Sequence, residues 1–191
     1  LSKEEIQVLE TAGTRSISVK KGDVIINEGE RPENVYLIEK GWACRYKLLE
    51  NGENHIMAFL IPGDLCDVHI TILEEMDHSI RALTPVTMHK FPADEIRNIM
   101  ENHHRLARAL FWSTLVDEAV LREWLVNMGT RSAEARLAHI FCEMLIRTRM
   151  AGRAEDDNIE FPLTQAELSE SMGLTQVHIN RVLQKLRHEG L

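Results

Sequence analysis

The sequence predicts an α+β chain: an N-terminal double-stranded β-helix (a jelly roll or small barrel), one long helix, and a compact C-terminal set of helices. Three observations carry that reading. Residues 15–92 are a series of short β-type runs punctuated by the turn signals "KKGD", "NEGERPEN", "EKG", "ENGEN", "IPGD" and "LTP". Residues 105–128 form an uninterrupted helical stretch with an unusually wide apolar arc. Residues 163–186 hold two short segments of helical apolar phasing on either side of a glycine.

Each element has a local cause. In the run before Asn51-Gly52, Cys44, Tyr46 and Leu48 fall on one face and Arg45 and Lys47 on the other, the period of a half-buried strand. Asn-Gly suits the positive dihedrals of a two-residue hairpin turn. After it, His55, Met57 and Phe59 alternate with Ile56, Ala58 and Leu60, a strand apolar on nearly both faces. Pro92, Asp94 and Glu95 open a short helix carrying Ile96, Ile99 and Met100. The long helix gathers polar residues into a stripe, Ser113, Thr114, Asp117, Glu118 and Arg122. Its apolar arc includes Leu106, Leu110, Phe111, Trp112, Leu115, Val116, Trp124 and Leu125. Such an arc covers either two layers of its own chain or a partner helix. Gly129 closes this helix and Ser132 caps the next, which puts Leu137, Ile140, Phe141, Met144 and Leu145 on one side. "RAEDDNIEF" then reads as a charged connection.

Composition narrows the function. A chain of 191 residues can form two small domains without disulfide or metal staples. Cys44, Cys66 and Cys142 form no CxxC pair, so a reducing, cytoplasmic setting is expected. No apolar run approaches the ~20 residues of a membrane span and no leader pattern opens the chain, so no membrane partner is expected. The net charge of -8 argues at first against nucleic acid. Its distribution reverses that argument. Residues 1–130 carry 14 basic and 21 acidic side chains, whereas residues 131–191 carry 8 and 9.

The near-neutral part holds the most informative stretch, "LTQAELSESMGLTQVHINRVLQKL", Leu163 to Leu186. Thr164 caps a helix and Glu167, three residues on, completes a capping box. Small Ser169 lets a second helix pass close, and Gly173 supplies the turn. Leu168 and Met172 before it, with Leu174, Ile179, Val182 and Leu186 after it, give the two helices one core. An ordinary helical hairpin would need only part of this pattern; the whole is helix-turn-helix spacing, which points to double-stranded DNA. The candidate DNA-contact residues are Thr164, Gln165, Thr175, Gln176, His178, Arg181 and Lys185. Arg181 can donate two hydrogen bonds to guanine O6 and N7, worth ~1–3 kcal/mol of discrimination. Thr164 and Gln165, at the start of the first helix, are placed to hold a backbone phosphate.

Together with "KKGDVIINEGERPENVYLIEKG" and its Gly22-Asp23, Glu28-Gly29, Tyr36 and Gly41, this stretch resembles the family of the cyclic-AMP receptor protein and the fumarate and nitrate reduction regulator (CRP/FNR). The resemblance spans nearly the whole chain. It implies a homodimeric transcription regulator acting with RNA polymerase: a β-roll sensor domain over residues 1–104, a dimerisation helix over 105–129 and a winged-helix DNA-binding domain over 130–191. It also implies a palindromic operator and a hinge near Asn127 to Thr130 that transmits the effector's state. The sequence ends at Leu191, before a wing would form. Val177 stands where the family often has a glutamate, so an acceptor for cytosine N4 is missing.

The same resemblance locates an effector pocket at Gly63, Asp64, Leu65, Cys66, Asp67, His69 and Arg81. Gly63-Asp64-Leu65 is similar to the family's Gly-Glu-Leu turn. Met76 and Asp77 stand about where its nucleotide binders carry an arginine and a hydroxyl neighbour for the cyclic phosphate. Asp67, Glu74, Glu75 and Asp77 would then face a phosphate with unscreened like charge. Cyclic AMP is therefore not the expected effector, whose identity stays open, and no cofactor is expected. Cys66, Asp67, His69 and His78 are metal-donor types at loose spacing, so no metal site is expected. Acidic neighbours should raise the pKa of Cys66 and slow its oxidation. Two other classes compete: a metal-dependent cupin, which usually needs an HxH pair where His55 stands alone, and a cyclic-nucleotide signalling module, which the C-terminal motif opposes.

Overall fold

The chain opens with a helix that the turn-punctuated reading passes over. Ser2 caps α1, Lys3–Ala12: its hydroxyl accepts from the Glu5 amide at 3.2 Å, and the Glu5 carboxylate accepts from the Ser2 amide at 2.6 Å. The Ser-x-x-Glu capping box that starts it was present in the sequence. The computed structural model describes residues 2–73, 75–154 and 158–190, with the side chains of Thr14, Arg15 and His69 outside that description. Glu74 and residues 155–157 of the charged connection therefore lie outside the described residues.

Among the described residues eight strands follow: β1 Thr14–Val19, β2 Val24–Ile26, β3 Asn34–Lys40, β4 Ala43–Leu48, β5 Asn54–Leu60, β6 Leu65–Cys66, β7 Ser79–Ala82 and β8 Val86–Pro92. They form two four-stranded sheets, ordered β1-β8-β3-β6 and β2-β7-β4-β5. The pairs β1/β8, β3/β8, β3/β6 and β2/β7 are antiparallel. Gly41 shows how tightly one turn is wound. Its φ is +83°, and a Cβ there would lie 2.1 Å from the Pro85 carbonyl oxygen, so only glycine fits. Val35, Ile38, Leu60, Ile80, Val86 and Met88 fill the interior, and Ile96, Ile99, Leu106 and Leu110 close it from the helices that follow.

The β4–β5 turn departs from the expectation. Gly52 N donates to Leu49 O at 2.9 Å and Leu49 N to Glu53 O at 2.8 Å, which makes a three-residue connection of Glu50, Asn51 and Gly52. Only Gly52 of this connection has positive φ; Asn51 instead accepts from the Glu53 amide through its side chain. The alternation of β4 also fails at its end, since Leu48 is 65% exposed although it shares a face with buried Cys44.

Helix α2 spans Ala93–Asn102 and α3 runs His104–Thr130, passing through Gly129 instead of stopping there. Gly129 has no positive φ and nothing would touch a Cβ at it, so the backbone is not forced to turn. Ser132 does cap the next helix, α4 Ala133–Met150, by accepting from the Ala135 amide. Leu137, Ile140 and Met144 of α4 are buried, and Phe141 packs edge-on against Phe161 with ring centroids 4.9 Å apart. Helices α5, Gln165–Met172, and α6, Gln176–His188, complete the chain.

By internal contacts the chain divides into two compact units, Leu1–Arg45 with Phe59–Ala119, and Tyr46–Ala58 with Val120–Leu191. The first is the body of the β-roll with the start of α3. The second joins the β4–β5 hairpin and the end of α3 with the C-terminal helices.

Candidate nucleic-acid interface and effector site

In the second unit the helix-turn-helix is built as its side chains dictate. Thr164 Oγ1 accepts from the Glu167 amide at 3.2 Å while the Glu167 carboxylate accepts from the Thr164 amide at 2.6 Å, the capping box expected at the start of α5. Gly173 takes φ +62°, ψ 34°, ending α5 in the left-handed region that glycine enters at least cost. Leu168, Met172, Ile179, Val182 and Leu186 are all buried, so both helices close on one core. The small residue that lets them close is Ser171, fully buried, more than the half-buried Ser169.

The outer face of α6 is consequently polar. Thr175 caps it, accepting from the His178 amide, and Thr164, Gln165, Gln176, His178 and Arg181 are all exposed. No carboxylate pairs with Arg181 among the described residues. Lys185, by contrast, is held by Glu134 at 2.9 Å, and that bond lowers the Glu134 carboxyl to about 2. Glu134 therefore competes with a phosphate for the Lys185 charge. Asn180 was missed by the sequence reading: its amide donates to Gln165 Oε1 at 3.3 Å, linking the first turn of α5 to the face that carries Arg181. Its position one residue before Arg181 was the available signal.

The segment where α3 meets α4 is strapped from several sides. Arg131 donates to Asn127 Oδ1 at 3.3 Å and to Glu123 at 3.0 Å, the Asn127 amide reaches Arg136 O at 3.5 Å, and Trp124 Nε1 donates to Glu143 at 2.7 Å. Asn127, expected in a hinge, is buried.

In the first unit the described residues expected around the effector take separate local roles. Gly63 has φ +101° and Asp64 caps the same turn by accepting from the Ile61 amide at 2.7 Å. Leu65 and Cys66 form β6 against β3. Arg81 alternates with buried Ile80 and Ala82 along β7 and so leaves the core face. The position of the His69 side chain lies outside the described residues.

Asp67 is the centre instead. It is fully buried with φ +52°, a conformation that aspartate enters more readily than most L-residues. Arg45 Nε lies 3.2 Å from its Oδ1, and His78 Nε2 lies 3.1 Å from its Oδ2. Arg45 continues to Asp117 of α3 at 3.1 Å, and His78 Nδ1 faces Asp77 at 2.6 Å. The result is a chain of alternating charges, Asp117, Arg45, Asp67, His78, Asp77, inside one unit. Burial opposes a proton on His78, but hydrogen bonds and charge from Asp67, then Asp77, outweigh it and raise its pKa.

Three expectations change here. The described members of the acidic group, Glu74 being outside them, are not an unscreened patch: Asp67 is compensated by Arg45 and His78, Glu75 pairs with Arg31 at 3.3 Å, and Asp77 is largely in solvent. Arg45, placed by alternation on an outer strand face, has only 11% of its side chain exposed. Asp117, assigned to a polar stripe, turns to meet it. For Cys66 the direction was right and the main cause was not: burial pushes the thiol far up, with Asp67 second.

The chain matches two domain families in tandem, the cyclic nucleotide-binding domain over residues 16–103 and the Crp-like helix-turn-helix domain over residues 135–191. It is similar to the nitrogen fixation regulation protein FixK of Bradyrhizobium diazoefficiens, 24% identical over 190 residues covering 100% of this chain and 78% of the relative. The transcriptional activator protein FnrL of Cereibacter sphaeroides is 22% identical over 178 residues, covering 91% of this chain and 71% of the relative. The solved structure of FixK2 from Bradyrhizobium japonicum superposes with a TM-score of 0.83 at 23% identity, covering 93% of this chain and 86% of that one. A β-roll of the nucleotide-binding type, a long helix and a capped helix-turn-helix thus occur in one order and over nearly one length, and the chain belongs to the CRP/FNR family of DNA-binding transcription regulators.

Proposed function

We propose that the chain acts as a homodimer that reads a two-fold symmetric operator, placing one α6 in each of two major-groove half-sites about one helical turn apart and acting on RNA polymerase there. The observation that carries this reading is the outward face of α6, where Arg181 stands unpaired by any described carboxylate beside Gln176 and Asn180. Relatives that are transcription regulators support a regulator over a metal-dependent catalyst. Among the described residues no helix is long and apolar enough to cross a membrane, and cytoplasmic access to DNA is part of the proposal.

The dimer is supported by α3. Trp112, Leu115, Val116, Ala119 and Val126 recur at three-, four- or seven-residue spacing, flanked by Phe111 and Leu125, and all are exposed. A stripe of that length on one helix needs a cover, and the same stripe on a second copy supplies it. Leu125 is 74% exposed and outside the buried core, so its replacement tests assembly without removing a core side chain. Leu125→Asp is expected to sediment as a monomer at micromolar concentration where the parent is a dimer, and to lose binding to an operator selected from a random duplex library. A variant that stays dimeric, or a parent that enriches no sequence, refutes the reading.

The effector we infer is not cyclic AMP. Met76, where a phosphate-binding arginine would stand, is 3% exposed, and Arg45 is engaged by two carboxylates. A phosphate entering here would have to take Arg45 from Asp67 and leave that carboxylate buried without its cation. Calorimetric titration with cyclic AMP is expected to give no saturable heat up to millimolar ligand; saturation in the micromolar range would overturn the inference.

A further inference from the structure

Among the residues of α6, Val177 is the one apolar side chain that is fully exposed, at 70%. A solitary exposed valine needs no explanation by itself. Its address gives it one. Val177 lies in the first turn of α6, four residues or about one turn before Arg181, so the two side chains stand on the same face. Asn180 stands beside them, held toward Gln165. A β-branched residue at an exposed helix position also costs a few tenths of a kcal/mol in propensity against glutamate, glutamine or lysine. The site therefore presents an apolar knob within a polar, hydrogen-bonding face.

The major groove offers one apolar group for such a knob, the C5-methyl of thymine. Four residues of helix advance about 6 Å, close to two base-pair steps of ~3.4 Å. Resting on the groove reading of α6 given above, we propose that Val177 is a specificity-determining residue that selects thymine, through its methyl group, within two base pairs of the guanine facing Arg181. Arg181 reads by donating hydrogen bonds, whereas Val177 reads by excluding water from a methyl group. The half-site then pairs a guanine with a nearby thymine, and cytosine at that place meets no acceptor.

Operators selected from a random duplex library by the purified protein provide the probe. Each thymine within two base pairs of the selected guanine is replaced by deoxyuridine in both half-sites, which removes only the methyl. At one position the substitution is expected to weaken binding about fourfold per half-site, the ~0.8 kcal/mol of one buried carbon group at 1.4 kcal/mol per decade. Val177→Ala, an exposed change that favours the helix and shortens the apolar contact, is expected to distinguish the thymine from the deoxyuridine duplex less than the parent does. Val177→Glu, put through the same selection, is expected to turn that position to cytosine by accepting from its N4 amine. Uniform tolerance of deoxyuridine, a half-site with no thymine within two base pairs, or an unchanged preference in Val177→Ala overturns the proposal while leaving Arg181 in the groove. Selection that enriches no sequence overturns both.

Discussion

Replacing Arg45 with methionine is expected to remove about 3–5 kcal/mol from the stability of the β-roll unit. Asp67 has no exposed side-chain surface, and Arg45, itself 11% exposed, stands 3.2 Å from it. Taking the cation away leaves a buried carboxylate that must stay charged without the guanidinium beside it or take up a proton. His78 remains 3.1 Å away, which offsets part of the loss. Asp117→Asn removes the second carboxylate beside Arg45, but Asp117 is 45% exposed, so solvent screens that pair and the change should stay within about 1 kcal/mol. Arg45→Met combined with Asp67→Asn removes the orphaned charge and should recover most of the stability. Urea unfolding followed by circular dichroism measures all four proteins. A loss below about 1 kcal/mol in Arg45→Met would show that water already reaches Asp67 and that the charge chain does not hold the loop.

That ion-pair chain marks where the sequence stopped being readable. Local signals gave the strands, the long helix and the capped helix-turn-helix, because Thr164, Glu167, Gly173 and Ser132 act on backbone within a few residues of themselves. Arg45 and Asp67 are separated by 22 positions, and Arg45 and Asp117 by 72, so no period or spacing announces their meeting. Period-two alternation put Arg45 outside because it asks only which face a residue occupies, and α3 covers that face. Asp117, on α3 itself, meets Arg45 there while its side chain stays 45% exposed. The α6 residues were legible for the opposite reason: an amphipathic helix whose apolar side fills one core must present the other side, and Arg181 falls there by arithmetic. Val177 was visible as a departure from the family pattern, while its prominence beside Arg181 came only with the structure.

Arg181→Met is expected to weaken sequence-specific DNA binding severely while leaving the fold intact. A bidentate contact to guanine is worth ~1–3 kcal/mol, and a two-fold dimer makes it twice. The combined loss of ~2–6 kcal/mol weakens a symmetric operator by about thirtyfold to ten-thousandfold. Arg181 is exposed and paired with no described carboxylate, so thermal stability should change by no more than about 0.5 kcal/mol. Arg181→Lys keeps the charge but not the planar fork, and it should recover nonspecific binding without recovering the operator. Lys185→Met supplies the contrast. Lys185 already spends its charge on Glu134, so its removal should cost little affinity and lower the salt slope by less than the ~1 per subunit of a free phosphate contact. Fluorescence anisotropy on the selected operator at two salt concentrations separates these cases. If Arg181→Met binds the operator as the parent does, the helix bearing it does not read guanine, and the groove assignment fails at its central residue.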